Sequence, residues 1–317
     1  MAKQLIREIK EYIYYPFQYF IGKKVYKELS KKGWLIVFNH AIGETVFTCE
    51  YIQSIKEFYK INKCVVVTKQ RLAKVIDLFN DIDETIVLDK KYISCLCAYL
   101  RGKDKVRYKA INSIWSDPRQ RRIADSSHRY NQQDPRRLQY IYTDFFGIPR
   151  NSNLIRPKLK EFSKIDCTII EQLKEFTPEY KKIVIFNPFA NTCKMLSNDF
   201  WRRLKIALEK KGYFILINGY QFKKDFGDAN CIMPELDDAP SIVDHCHSCI
   251  SIQSGFSDLL VESGCNVKVV FVRNKGDTNE YRNTNKGIPF EVPEMYIIEN
   301  DGKAAEEKAI SDILSKY

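Results

Sequence analysis

The sequence predicts an α/β fold made of two doubly wound, Rossmann-like domains that face each other across a cleft. Three observations predict this fold class. Short apolar strands alternate with helical segments, the alternation runs twice along the chain, and a basic, polar stretch separates the two runs. Buried apolar strands separated by helices are typical of parallel sheets that are covered on both faces. A length of 317 residues is enough for two such cores.

The first run of strands follows an N-terminal helical region at residues 3–32, which we expect to break near Pro16. The predicted strands are WLIVF, CVVVT and TIVLD, at residues 34–38, 64–68 and 85–89. Each is short, apolar and bounded by polar residues. Helices are expected between them, at residues 39–60 and 72–79.

The second run repeats the pattern. Its predicted strands lie at residues 182–188, 213–219, 249–253 and 268–272. Its predicted helices lie at residues 197–212, 239–246, 254–264 and 304–317. The helix after the first of these strands has Ser197 or Asn198 as its N-cap.

Composition shifts set the domain boundaries. The first domain is expected at residues 1–155 and contains a basic insert at 101–140, where eleven Lys or Arg stand against four Asp. The second domain is expected at 156–302. The last segment, 303–317, is an amphipathic helix and a candidate for packing back on the first domain.

Composition also restricts the class of protein. Hydrophobic residues make up 44% and charged residues 29%, which is typical of a globular domain. No segment approaches the roughly 20 apolar residues that cross a bilayer, and the first residues lack a signal-peptide pattern. We therefore expect a cytoplasmic protein, and its ten scattered cysteines fit that location.

The net charge of +11 indicates an anionic partner, such as nucleic acid, a membrane surface or a phosphorylated substrate.

The N-terminal helical region mixes Lys and Arg with a dense set of aromatic residues. Basic residues beside amphipathic rings suit a bilayer interface, which would make the protein peripheral on the inner leaflet of the cytoplasmic membrane. The alternative is a helix that packs on the first domain and exposes a solvated basic face. The sequence leaves both interpretations open.

The first candidate site segment, NHAIGET, occupies residues 39–45 directly after the first strand. Gly43 permits a tight turn, and Glu44 then stands at the start of a helix. A carboxylate in that place can take a proton from an attacking hydroxyl. The alternative is an acidic residue favoured by the helix dipole. His40 is placed to orient a substrate or assist Glu44, or to make a structural hydrogen bond.

The second domain contributes three more candidate segments. Lys194 lies in a polar loop that follows the strand ending near Asn187, and an ammonium group there suits a phosphate. Gly219 ends a strand and lets a ligand approach the backbone. A third strand runs into a Gly turn and a helix start, which is an anion-binding junction or an ordinary cap. The residues of this junction are Ser254, Gly255, Phe256, Ser257 and Asp258.

These motifs, in this order, resemble the bacterial heptosyltransferase-like family, which is glycosyltransferase family nine with the GT-B fold. The resemblance rests on an x-IG-acid segment, an NP-x-A…K…W segment and an SG-xx-xL segment. It covers roughly residues 34–95 and 182–272. A weaker likeness of SGFSDLL to bacterial fucosyltransferase-like enzymes points to the same fold with another sugar.

The resemblance implies roles for individual residues. Glu44 is the candidate base, where the family usually has Asp, and Lys194 binds the donor phosphate. Ser254, Gly255 and the neighbouring amides hold the diphosphate, while Asn187 and Gly219 are assigned to the nucleotide. Two departures are Asp258, where the family commonly has His, and Gln253, where it commonly has an acid.

The resemblance implies an inverting, metal-independent glycosyltransferase of the hexosyl- or heptosyltransferase class. It would move a sugar from a nucleotide-diphosphate donor to a hydroxyl of a glycan acceptor in lipopolysaccharide, capsule or another surface polysaccharide. In the basic insert, Arg119, Arg121 and Arg122 are assigned to an anionic or lipid-linked acceptor. Under this interpretation nucleic acid is not a partner. Two other classes stay open: a basic nucleic-acid-binding protein and a non-catalytic sugar-nucleotide-binding protein.

No metal or cofactor is expected. Asp81 and Asp83 spell D-x-D, but they come just before a strand, where turn residues are expected. The segment DHCHSC at 244–249 contains Cys-x-x-Cys, yet no second ligand pair completes a zinc site locally.

Overall fold

The computed structural model describes residues 2–39, 41–113, 137–150, 167–190, 195–219, 230–262, 264–273, 295–299 and 302–317. The chain forms two compact units, Met1–Lys158 and Leu159–Tyr317. The division falls close to the boundary expected at 155/156. Each unit is an α/β layer structure, so the predicted α/β class is confirmed.

The first unit contains a parallel sheet with the strand order β3-β2-β1-β4. Its strands are β1 (Trp34–Val37), β2 (Cys64–Thr68), β3 (Glu84–Val87) and β4 (Ala110–Ile111). Its described helices are α1 (Ala2–Leu29), α2 (Ile42–Glu50), α3 (Ile52–Tyr59), α4 (Gln70–Ile76), α5 (Lys90–Leu100), α6 (Lys105–Tyr108) and α7 (Arg137–Phe146).

The core of the first unit lies around β1 and β2. Every residue of β2 is buried, as expected for a strand with neighbours on both sides and helices on both faces. One face packs against α5 and α1 through Leu35, Val65 and Leu96. The edge strand β3 is only partly buried, and Val87 is exposed. Its outer side has no partner strand among the described residues.

Helix α1 packs along α5 at close range. A Cβ atom on Gly22 would lie 2.0 Å from the carbonyl oxygen of Cys95, so only glycine permits this approach. The helix continues through Pro16, and the predicted break there is wrong. A proline inside a helix costs about 3 kcal/mol, and packing along α5 offsets this cost.

The second unit contains a parallel sheet with the strand order β10-β9-β8-β5-β6-β7. Its strands are β5 (Ile183–Asn187), β6 (Phe214–Asn218), β7 (Cys231–Ile232), β8 (Ser248–Ile252), β9 (Val267–Arg273) and β10 (Met295–Glu299). Its described helices are α8 (Cys167–Phe176), α9 (Asn198–Lys210), α10 (Ala239–His245), α11 (Gly255–Glu262) and α12 (Lys303–Leu314), with a 3₁₀ turn at Tyr180–Lys182.

The final helix, α12, belongs to the second unit. It was a candidate for packing on the first domain, but its apolar side joins the core formed by β5, β6 and α9, where Ile313 and Trp201 are fully buried. At the rim of this contact, Arg203 of α9 binds Glu306 of α12 at 2.8 Å. The helix thus covers one face of the second sheet.

Most predicted elements are confirmed within a few residues, but the helices α5 and α8 were not predicted, and two further kinds of difference occur. The helix expected at 39–60 is two helices, α2 and α3, divided at Tyr51. The strands β4, β7 and β10 were not predicted, because two-residue strands carry no periodic signal and β10 stands apart from the alternating pattern. Among the described helices, none has the length and apolar character required to span a bilayer.

Candidate functional site

The second sheet has a topological switch point between β5 and β8. From β5 the chain proceeds to β6 and β7 on one side, while β8, β9 and β10 extend the sheet on the other side. All paired strands are parallel and therefore end at the same edge. Ligands of open α/β sheets bind outside the carboxyl ends of the strands at such a point. Asn187 and Ser251, paired in register at the strand ends, mark this place.

Asn187 lies at the centre of a buried polar network and is only 4% exposed. Its Nδ2 donates to the Oγ atoms of Ser251, at 2.8 Å, and Ser254, at 3.2 Å. Its Oδ1 accepts from Nδ2 of Asn218 at 3.0 Å. The network joins the ends of β5, β6 and β8 to the start of α11, and so gives the site a fixed geometry.

This network also determines the role of Ser254. Its Oγ accepts from Asn187 and, at 3.3 Å, from the backbone N–H of Ser257. A hydroxyl has two acceptor lone pairs and one proton, so the Ser254 proton is available to a ligand. Ser254 is half-buried, at the strand–helix junction. Its hydroxyl therefore lies at the carboxyl edge of the sheet, and its two hydrogen bonds from described residues leave the proton unused.

Ser257, in contrast, closes the helix start. Its Oγ donates to the carbonyl oxygen of Ser254 at 2.8 Å and accepts from the Ser254 N–H at 2.9 Å. It is 1% exposed. Its proton is used within the cap, which is the ordinary use of Ser at a helix start, and its assignment to the donor phosphate stays a prediction.

The first turn of α11 leaves backbone donors at the same edge. The N–H groups of Ser257 and Asp258 bind Ser254, whereas those of Gly255 and Phe256 find no acceptor in the part of the chain that the structure describes. The positive end of the helix dipole adds to their attraction for an anion. The side chain of Phe256 packs in the core, so this residue offers a ligand only its amide. Asp258 is half-buried on the same turn.

Two further positions border this edge. Gly219 follows β6 with a φ of 116°, in the region that favours glycine, and its N–H donates to the carbonyl oxygen of Ile232 at 2.9 Å. Gln253 follows β8, and its Oε1 is buried without a hydrogen bond from the described residues. Buried acceptors normally have a donor, so a ligand hydroxyl at this edge would satisfy Gln253.

Several predicted site residues lie outside the described residues: Lys194, His40, Arg119, Arg121 and Arg122. The two ends of the loop that contains Lys194 are described. Ala190 comes shortly after β5, and its N–H lies 3.5 Å from Sδ of Met195. The role of Lys194 stays a prediction, as do those of the other four.

At the first sheet, Glu44 lies in the first turn of α2, which follows the carboxyl end of β1. Its side chain is half-buried, and its backbone carbonyl oxygen accepts from Oγ1 of Thr48 at 2.7 Å. The helix has no side-chain cap at Ala41. The sequence thus placed Glu44 correctly at a helix start on the carboxyl edge of its sheet, where a carboxylate is accessible to a substrate.

Basic residues occur on this edge too, and one of them, Lys69, lies near Glu44. Lys69 follows β2, and burial lowers the pKa of its ammonium group. The positive charges of Arg71 and Lys90 lower this pKa further, while the nearby Glu44 carboxylate acts in the opposite direction. Arg71 and Lys90 are exposed. Lys69 thus lies within electrostatic reach of two cations and one carboxylate.

The two metal-like patterns have structural roles. Oδ2 of Asp83 accepts from the backbone N–H of Cys64 at 2.7 Å and from Nζ of Lys56 at 3.0 Å. Burial alone would raise the pKa of Asp83, but these two donors hold it below its ordinary value. Cys249 is fully buried in the core. No cluster of three metal-binding side chains occurs in the described ranges.

Sequence reasoning missed the polar network behind the site. Ser251 and Asn218 carried no motif signal, and Gln253 was noted only as a departure from the family pattern. The available signal was a polar residue at or next to the end of each apolar strand. Lys69 had the same signal, since it directly follows CVVVT.

Together, two α/β units with parallel sheets and sites at their carboxyl edges define the GT-B glycosyltransferase fold class. Three solved structures share this fold. The ADP-heptose LPS heptosyltransferase II of E. coli matches with a TM-score of 0.55 at 10% identity, covering 89% of this chain and 98% of that chain. A family 9 glycosyltransferase of Veillonella parvula DSM 2008 matches with a TM-score of 0.58 at 14% identity, covering 89% of this chain and 97% of that chain.

The third is the E. coli heptosyltransferase WaaC with ADP-2-deoxy-2-fluoro heptose, with a TM-score of 0.50 at 12% identity, covering 89% of this chain and 98% of that chain. At these identities the likeness shows the fold, and the predicted fold class and structural resemblance are confirmed. No family model and no curated protein matches the chain.

Proposed function

We propose that this chain is a glycosyltransferase that takes a sugar from a nucleoside-diphosphate donor and passes it to a hydroxyl of a glycan acceptor. The observation that carries the proposal is the arrangement at the switch point of the second sheet. There Asn187 binds Ser254 beside two helix-start amides that have no acceptor among the described residues. Hydroxyl and amide donors at the positive end of a helix fit a diphosphate. The fold supports the same donor class, since WaaC was solved with an ADP sugar.

On the donor side, Ser254 and the amides of Gly255 and Phe256 are assigned to the diphosphate. Asn187 acts as a positioning residue, because it holds Ser254 and not the ligand. Gly219 and Gln253 border the space for the nucleoside, where Gln253 would accept from a sugar hydroxyl. The predicted Lys194 would add a positive charge to the diphosphate.

The reaction we propose is an inverting displacement. Glu44 takes the proton of the acceptor hydroxyl as its oxygen forms a bond to the anomeric carbon. The bond between that carbon and the diphosphate oxygen breaks, and the nucleoside diphosphate leaves with the electron pair. Positioned donors stabilise the negative charge that develops on the leaving oxygen, so no step requires a metal ion. His40 is proposed to assist Glu44.

We propose an anionic glycan as the acceptor, of the kind found in lipopolysaccharide, capsule or another surface polysaccharide. Support comes from a basic group made of Lys69, which lies near Glu44, and its neighbours Arg71 and Lys90. Charge-assisted hydrogen bonds from Lys and Arg to phosphate or carboxylate groups are among the stronger polar interactions in proteins. The predicted acceptor residues of the basic insert, Arg119, Arg121 and Arg122, would extend this surface.

Nucleotide binding is the direct test of the donor assignment. The unfolding temperature of the full chain should rise with one nucleoside diphosphate in a panel of ADP, GDP, UDP and CDP. A ligand at 100 times its Kd adds about 2.7 kcal/mol to the free energy of unfolding. Ser254→Ala should reduce the rise, whereas Ser315→Ala, at a serine that binds Asp312 at the chain end, should not. If no nucleotide stabilised the protein, the donor assignment would be wrong.

The acceptor assignment predicts a separate effect. A variant with Lys69→Gln, Arg71→Gln and Lys90→Gln should raise the KM for an anionic acceptor by about tenfold or more, because charged hydrogen bonds contribute about 1.5–3 kcal/mol each. The KM for the donor should not change. The matched control removes three exposed cations of the same unit, Lys60, Lys91 and Arg107. Equal effects of the two triple variants would show that only net charge matters.

A further inference from the structure

The N-terminal helix α1 exposes large aromatic side chains. Phe17 is 68% exposed, Phe20 64% and Tyr14 59%, among the highest exposures of large apolar side chains in the described residues. Exposed phenyl rings are unfavourable in water, and contiguous ones mark an interaction surface. The proposed transfer reaction has no use for them, since they lie on a helix that carries none of the assigned site residues.

The exposure is a fixed property of the helix, because its opposite side is held by the first unit. Gly22 brings α1 into contact with the backbone of α5. The hydroxyl of Tyr15 donates to the carbonyl oxygen of Ala98 at 3.3 Å, and that of Tyr26 donates to that of Tyr108 at 2.7 Å. The phenyl rings thus face away from the core while α1 is firmly packed.

Three lysines continue the exposed side. Residues three, four or seven apart share a helix face, so Phe17 and Phe20 lie in line with Lys24 and Lys27, and Lys23 flanks them. All three lysines are exposed. None pairs with a carboxylate in the part of the chain that the structure describes, whereas the neighbouring Glu28 pairs with Lys31 at 3.3 Å. We call Tyr14, Phe17, Phe20, Lys23, Lys24 and Lys27 the aromatic–basic face.

We propose that the aromatic–basic face docks the protein on an anionic lipid surface, with α1 lying parallel to the bilayer. Aromatic rings enter the boundary between headgroups and acyl chains, while lysines extend their charges to acidic headgroups. The charge complementarity favours lipid, because across α1 six Lys or Arg stand against three Glu. The proposal does not depend on the proposed transferase activity.

Vesicle sedimentation with the full chain tests the proposal. The protein should sediment with vesicles that contain phosphatidylglycerol and stay in the supernatant with pure phosphatidylcholine. Lys23→Gln, Lys24→Gln and Lys27→Gln together should weaken binding on the order of a hundredfold, given the contribution of each basic residue near an anionic surface. Phe17→Ser with Phe20→Ser should weaken it by about tenfold or more.

Two matched controls distinguish the effect of this face from the effects of general charge and hydrophobicity. Lys181→Gln, Lys210→Gln and Lys308→Gln remove three exposed lysines of the second unit, and Ile206→Ser removes an apolar side chain that is 52% exposed. Both should bind vesicles like the unchanged protein. The proposal is overturned if the unchanged protein does not sediment with anionic vesicles, or if the controls lose as much binding as the α1 variants. Thermal stabilisation by nucleotide should be the same in all of them, so it reports on the donor site separately.

Discussion

Glu44→Gln is expected to lower kcat by roughly 10²- to 10⁴-fold, the usual contribution of a general base. The substitution keeps the size and hydrogen-bonding reach of the side chain but removes its ability to accept a proton. Glu44 is half-buried in the first turn of α2, and its backbone contact with Thr48 does not involve the carboxylate. The fold should therefore tolerate the change. The measurement is the initial rate of sugar transfer under saturating donor and acceptor.

The control for this prediction is Glu57→Gln, at an exposed position of α3 in the same unit, which should keep its rate. Thermal stabilisation by the preferred nucleotide should be unchanged in both variants, because the donor residues belong to the second unit. A Glu44→Gln enzyme with nearly normal kcat would refute the base assignment. It would leave the donor assignment standing, since nucleotide binding is measured independently.

The sequence alone predicted the fold because most of its buried parallel strands are short, apolar and rich in β-branched residues, and helical segments lie between them. CVVVT is buried throughout and was identified as a strand from its composition. The errors arose where tertiary contacts override local preference. Pro16 predicted a helix break, but the close packing that Gly22 allows against α5 keeps α1 continuous. The division of the second helical segment at Tyr51 likewise has no marker in the sequence.

Part of the candidate site was also predictable from local sequence patterns. A glycine and a serine after a strand mark a helix start, so Ser254 and Gly255 were identified from sequence. Asn187 was named only as a nucleotide residue, because its hydrogen bonds join positions 64 and 67 residues away. Such pairings depend on which strands are neighbours. Strand order is a tertiary property that the spacing of motifs does not reveal.

Ser254→Ala is expected to lower kcat by roughly 10²- to 10³-fold, because it removes one donor to the charge that develops on the leaving diphosphate. Asn187→Asp tests the same donor indirectly. An ionised carboxylate keeps the acceptor for Asn218 but cannot donate. The Ser254 proton would then turn toward residue 187 and away from the ligand. Asn187→Asp should therefore reproduce most of the loss seen for Ser254→Ala, although residue 187 does not touch the substrate.

Combining the two changes distinguishes positioning from independent binding. If Asn187 acts only through Ser254, the double variant should be no slower than the slower single variant, so the coupling free energy should equal the whole loss caused by the milder single change. Unfolding temperatures of all three variants must be measured alongside, because Asn187 is buried. If the two losses multiplied, Asn187 would contact the donor itself, and the orientation of Ser254 would have to be explained by its cap with Ser257 alone.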